Sequence, residues 1–313
     1  GTYSPEAGRL TERPEPVSTT PTYLIDSSLY IFRAWHSMPP EFDDVDGNPV
    51  NAVHGFTRFV LDFVEKVKPQ RCAFAFDASL ESNYRNELYP AYKANRDPAP
   101  DELKKQFAYC QEVCAALGFP VLVDGHYEAD DLIGTAAKQC RDAGHSITII
   151  SADKDLSQLL DTGDSQWDFT RNDRWSCEGV KARYGVHAHQ IADYLGLTGD
   201  AVDNIPGVPG IGPKTAATLL GHFGSLDALL ERVAEIPYLR IRGSAQHAER
   251  LKEHREIALL SCQLATVICD VPLPESFSLA TRGNIQRDLL IPLCEKLRFG
   301  PMTRRRLLEL PLQ

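Results

Sequence analysis

The chain has 313 residues, of which 33 are basic and 43 acidic, for a net charge of −10. That length suffices for one large domain or two ordinary ones and for burying roughly three quarters of the unfolded surface, so no staple is needed for folding. An acidic chain lacks the basic face usual in nucleic-acid binders, yet a site crowded with carboxylates for divalent ions gives the same balance, so charge excludes neither partner.

Residues 1–21, with Pro5, Pro14, Pro16 and Pro21 among Ser and Thr, have no periodicity and read as a disordered tail. Tyr23-Leu24-Ile25 is a short apolar strand ending at Asp26. A helix follows, then a loop over Met38–Pro49 and a helix from Asn51 to Val67. Arg71–Phe76 is a second strand ending at Asp77. Helix Glu102–Leu117 leads to a third strand, Pro120–Val123, and helix Ala129–Ala143 to a fourth, Ile147–Ile150, followed by Ser151-Ala152-Asp153. Apolar strands alternating with amphipathic helices predict an α/β fold, a mostly parallel central sheet flanked by helices, with its site at the carboxyl ends of the strands. Beyond about residue 180 the strand signal fades. Lys181–Leu195, Thr215–Phe223, Leu226–Val233, Ala245–Leu260 and Leu289–Leu297 read as helices of an appended helical region. The expected division is therefore 22–180 for the α/β core and 181–313 for the helical part. The eight cysteines form no Cys-x-x-Cys pair, which argues against a zinc site or disulfide frame and for reduced thiols of a cytosolic protein. No run of 18 apolar residues occurs, so no membrane partner is expected.

Glu128-Ala129-Asp130-Asp131 sets three carboxylates in four residues at the start of an apolar helix. Such a group can simply favour a helix N-terminus, or it can surround a cation. Asp26, Asp77 and Asp153 share the same sheet edge, Asp155 follows, and Asp200 and Asp203 lie at i, i+3, which a helical turn would set on one face. Carboxylates alone suit Mg²⁺ or Mn²⁺ and offer little to zinc. Nine acids exceed the needs of one Mg²⁺, whereas two ions about 4 Å apart would use them, the arrangement that cleaves phosphodiesters.

Gly207-Val208-Pro209-Gly210-Ile211-Gly212-Pro213-Lys214-Thr215-Ala216 has the glycines of a tight hairpin, a helix N-terminus and a lysine. It can grip a sugar–phosphate backbone, or be a plain turn between helices. Tyr84-Arg85, Tyr89, Tyr92-Lys93 and Arg96 interleave rings with cations, which suits single-stranded nucleic acid or an ordinary solvated face.

Tyr23–Trp35, Phe76-Asp77-Ala78, Glu128–Asp131, Ser151–Leu156 and Gly199–Ala216 together resemble the flap endonuclease superfamily, in particular the 5′-nuclease domain of bacterial DNA polymerase I and stand-alone bacterial 5′–3′ exonucleases. The resemblance runs over about 23–300. It implies a PIN-like core with an arch at about 80–105 and a helix–three-turn–helix at about 190–223. Asp26, Asp77, Glu128 and Asp130 match first-metal ligands, with Asp131 beside them, and Asp153, Asp155, Asp200 and Asp203 match second-site acids. Tyr84, Arg85 and Lys93 match arch residues that act on the scissile phosphate. Gly207, Gly210, Gly212, Lys214 and Thr215, with Arg96, are the expected DNA contacts, and in relatives the hairpin can also hold K⁺. Ser79 stands where a Lys is common. No polymerase segment follows, as in a stand-alone form or an excised domain. The resemblance implies a monomeric, cytoplasmic, nucleoid-associated enzyme of replication and repair, a two-metal 5′–3′ exonuclease and flap endonuclease. Its DNA would carry a 5′ flap, nick, gap or 5′ end, and its products a 5′-phosphate and 3′-hydroxyl. The alternatives are a non-catalytic branched-DNA-binding module and a PIN-type endoribonuclease.

Overall fold

The computed structural model describes residues 20–78 and 80–311, so Ser79 and positions 1–19 of the expected tail lie outside the described residues. In chain order come β1 (Thr22–Asp26), α1 (Ser27–Ser37), α2 (Asn51–Val67), β2 (Arg71–Asp77), the short α3 (Tyr84–Leu88), α4 (Asp101–Ala116), β3 (Val121–Asp124), α5 (Ala129–Asp142) and β4 (Ile147–Ile150). A hairpin of β5 (Ser165–Asp168) and β6 (Asp173–Ser176) completes a sheet ordered β3-β2-β1-β4-β5-β6, parallel except for β6.

Side chains alternate across the strands because the pleat has period two. Leu24, Ala73, Ala75, Ile147 and Ile149 face one core, together with Leu132, Ile133, Ala136 and Cys140 of α5. Ile25, Cys72, Phe74, Phe76 and Ile150 face the other, where α2 presents Phe56, Phe59, Val60, Phe63 and Val64. That spacing keeps one apolar stripe on the sheet, and each fully buried side chain contributes about 1.5–3 kcal/mol.

The crossovers run from β1 to β2 to β3 on one side and then place β4 on the other side of β1. Connections thus diverge between β1 and β4, and a crevice opens at their carboxyl ends. Asp26 closes β1, and the 151–153 turn follows β4.

The helical part comprises α6 (Gly179–Tyr184), α7 (Ile191–Thr198), α8 (Pro213–Phe223), α9 (Leu226–Glu231), α10 (Ser244–Glu253), α11 (Arg255–Ala265), α12 (Arg287–Lys296) and α13 (Pro301–Leu308). Two helices expected to be continuous are broken. Lys181–Leu195 stops at Gly185, which takes a left-handed conformation, and Ala245–Leu260 divides at His254. The β5–β6 hairpin had no apolar run to announce it; Trp167 and Trp175 supply most of its burial. Leu195, Leu219, Leu229, Leu251 and Leu264 of the helical part join the α5 core, whereas Leu290, Cys294 and Leu307 of α12 and α13 return to the α2 side. No helix among the described residues is long and apolar enough to cross a membrane.

Candidate metal and nucleic-acid site

At the crevice, a cleft of about 460 Å³ collects acids from five segments. Asp26 from the end of β1, Asp130 from the first turn of α5 and Asp153 after β4 bring carboxylate oxygens within 4.8 Å of one another, and so do Asp155, Asp200 and Asp203. Sequence matching had grouped Asp153 with the second set. Its place directly after β4, the neighbour of β1, brings it to Asp26 instead. Asp200 and Asp203 lie on a reverse turn closed by paired backbone bonds between Asp200 and Ile205, not on the helical turn expected.

The acids of this cleft are short of counter-charge. Burial, reinforced by the Asp153 charge, raises Asp26 well above the usual carboxylate range, although the Ser151 hydroxyl, 2.7 Å from Oδ2, acts the other way. Burial and then the charges of Asp26 and Asp153 raise Asp130 likewise. Asp155 is pushed up to about 8 by burial and by Asp203 and Asp200. Burial also raises Asp203, against Lys93 and Arg96, and Asp77, against Lys93. Asp77 lines the cleft and accepts the Ala129 N–H at 2.8 Å.

Glu128 reaches the cleft already satisfied. Lys93 Nζ donates to it at 2.7 Å, Asn83 Nδ2 and the Tyr92 hydroxyl at 3.0 Å, and Arg85 Nη1 at 3.1 Å. Burial alone would raise its pKa, but Lys93 and Arg85 outweigh that and hold it at about 2. Glu128 is therefore the anchor of the cations around it.

Three expected site residues stand elsewhere. Asp131 is wholly buried and absent from the cleft lining, its oxygens held by Arg85 at 2.7 and 2.9 Å and by the backbone N–H groups of Glu128 and Ile268. Consecutive helical residues point about 100° apart, so Asp130 entering the cleft sends Asp131 behind the helix. Arg85, expected at the scissile phosphate, is 2% exposed and donates to Asp131, Glu128 and the carbonyls of Leu264 and Thr266. All its donor groups are engaged inside, and withdrawing it would strand buried carboxylates. Tyr84 packs against His126 and Tyr127, with the Arg85 guanidinium over its ring, and does not line the cleft.

Lys93 and Arg96 do line it. Their segment is stitched to the Asp200–Asp203 turn: the Lys93 N–H donates to the Asp203 carbonyl, Asn95 to Ala201, Arg96 to Val202 and Asn204 to Ala91, while Arg96 also pairs with the Asp203 carboxylate. Sequence reasoning missed Lys154, 3.9 Å from Asp200, and the polar chain that holds the 151–153 turn. In that chain Trp175 Nε1 donates to Ser157 Oγ, Ser157 to Gln166, and Gln166 to the carbonyls of Ser151 and Asp153. Nothing in the sequence spacing singles these residues out.

The 207–216 hairpin forms as expected, but its glycines differ in role. Gly207 is buried rather than presented, at φ +64°, and a Cβ there would lie 2.2 Å from the Gly199 nitrogen. Gly210, Gly212 and Lys214 are exposed and Thr215 half-buried. Pro213 opens α8, whose first N–H groups have no acceptor within the helix.

Residues 21–185 match the family described as 5′–3′ exonuclease, N-terminal resolvase-like domain, and residues 186–288 match 5′–3′ exonuclease, C-terminal SAM fold. DNA polymerase I of Pseudomonas aeruginosa is 39% identical over 284 residues, covering 90% of this chain and 31% of that protein. DNA polymerase I of Bacillus subtilis is 35% identical over 287 residues, covering 90% and 32%. The chain thus spans about a third of the length of these relatives. Among solved structures, the T5 D15 protein co-crystallised with metal ions aligns with a TM-score of 0.64 at 18% identity over 92% of this chain and 97% of that one. The catalytic core of Rad2 in complex with DNA aligns at 0.61 and 17%, covering 96% of each. These two establish likeness of fold.

Proposed function

Because the chain belongs to the 5′–3′ exonuclease family, we propose that its acidic cleft hydrolyses DNA phosphodiester bonds near a 5′ end, flap, nick or gap, leaving a 5′-phosphate and a 3′-hydroxyl. The observation that carries this reading is the pair of carboxylate triads at the switch point, Asp26/Asp130/Asp153 and Asp155/Asp200/Asp203. Their donors are all oxygen, which fits hard ions such as Mg²⁺ or Mn²⁺, and the raised pKa values of Asp26, Asp130 and Asp155 mark buried acids short of a cation. Two bound divalent ions would supply a water acidic enough to attack and a counter-charge for the departing 3′ oxygen.

The chain's own groups do the rest. Lys93 and Arg96 stand at the cleft, where either can balance charge gathering on the phosphate oxygens. The Ser151 hydroxyl orients Asp26, and Asp77 fixes the start of α5. Gly210, Gly212 and Lys214, with the free N–H groups of α8, suit a sequence-independent hold on the duplex backbone. A K⁺ ion at the hairpin, a monomeric state and a cytoplasmic location belong to the same proposal, and the DNA polymerase I relatives support a place in replication and repair. A purely binding module would have no use for two such carboxylate triads.

The test is cleavage of labelled flap, nicked, blunt and single-stranded DNA with Mg²⁺ or EDTA. Asp130→Ala and Asp155→Ala should each lower the rate at least about 10³-fold while still binding the duplex. Parent-like cutting by both variants would end the assignment.

A further inference from the structure

The hairpin has a neighbour that none of the above uses. Between α9 and α10 a 3₁₀ turn, Val233–Tyr238, runs into a bend and a turn that carry Leu239, Arg240, Ile241 and Arg242. Leu239 and Ile241 pack on the core, while Tyr238, 89% exposed, and the exposed Arg240 and Arg242 point to solvent. Among the described residues neither arginine has an ion pair or a side-chain hydrogen bond. Arg232 beside this strip does have a partner, in Glu235.

The strip is fixed to α10, and α10 to the hairpin. The Ser244 hydroxyl donates to the Pro237 carbonyl at 3.3 Å, and His247 Nε2 lies 3.1 Å from the Arg242 carbonyl. One turn further, Arg250 sets its guanidinium against Gly210: a Cβ on that glycine would lie 1.9 Å from Nη1. Arg250, too, has no acid or acceptor among the described residues. Ser244, His247 and Arg250 stand at i, i+3 and i+6, so about 9 Å of helix joins the strip to the hairpin.

We propose that Tyr238, Arg240 and Arg242, continued by Arg250, form a second contact for the DNA backbone beside the hairpin. It rests on the reading of the hairpin as a duplex grip. Cations without partners, presented outward on a bend and flanked by an exposed aromatic ring, complement the sugar–phosphate strand in charge. Each phosphate neutralised releases counterions, so the contact carries its own salt signature.

The experiment measures equilibrium binding to a nicked duplex in EDTA between 50 and 200 mM salt. Arg240→Ala/Arg242→Ala should lower the slope of log K against log salt by about 2, and affinity near 0.1 M salt by roughly tenfold. Arg250→Ala should lower the slope by about 1. With Mg²⁺ and saturating DNA, kcat should stay at the parent value while KM rises. An unchanged slope overturns the contact, as does an equal loss in Arg287→Ala/Arg298→Ala, which removes the same charge from another surface. An effect confined to single-stranded DNA also overturns it. A parent that binds but never cuts removes the nuclease reading and leaves this contact standing; a parent that cuts beside a variant of unchanged slope removes the contact alone.

Discussion

Asp130 and Asp131 are neighbours with opposite lives. One enters the cleft with no hydrogen-bond donor or ion pair among the described residues, and the other is locked under Arg85. Arg85→Ala should therefore cost about 3–5 kcal/mol in urea denaturation, the cost of leaving buried carboxylates unpaired. Lys93→Ala should instead lower kcat about 10²–10³-fold with a much smaller change in midpoint. Asp155 gives a signed test. Between the ordinary carboxylate range and about 8 the folded chain keeps a proton there that the unfolded chain has released, so cation-free stability falls as pH rises through that window. Asp155→Asn should raise the melting temperature in EDTA at pH 7.5, by about 2–4 °C for each kcal/mol relieved, and lose the parent's gain on adding Mg²⁺. A parent melting point flat from pH 5 to 8 would contradict this. At this scale the acidic positions were legible in the sequence because carboxylates at strand ends are conspicuous. Which of two adjacent acids faces inward was not, because a helix's rotation is set by what packs behind it.

The least conspicuous element holds the turn that carries Asp153. β5 and β6 have only four residues each, largely polar, and no alternation that a reading of the chain would notice. Yet Gln166 of β5 carries two carbonyls of the 151–153 turn, and Trp175 of β6 steadies Ser157 behind it. Gln166→Leu should raise the Mg²⁺ concentration for half-maximal cleavage about 10-fold or more, since groups behind a ligand set its orientation; an unchanged Mg²⁺ titration would refute that role. The four buried parallel strands, in contrast, were readable, because continuous apolar runs of that length have few other places to go. The segment expected to form an arch was half readable: its cations were visible, but Arg85 could not be told from Lys93 until the fold buried one of them.

Across the whole molecule, α5, one face of the sheet and helices α7 to α11 contribute to one continuous core. The two family matches meet at 185/186, but no apolar boundary does. The chain should unfold in a single calorimetric transition with matching van't Hoff enthalpy, and a 20–185 fragment should fail to fold; two separable transitions would refute this. That continuity was invisible in the sequence, where the fading of strand signals near 180 suggests an ordinary seam between parts. The triad of Asp155, Asp200 and Asp203 straddles that same seam, one carboxylate from before it and two from after. A copy whose halves have drifted apart, through damage or incomplete folding, has no assembled blade. Under the proposed nuclease reading such a copy is disarmed, because only the half of its scissors that holds Asp26, Asp130 and Asp153 is left.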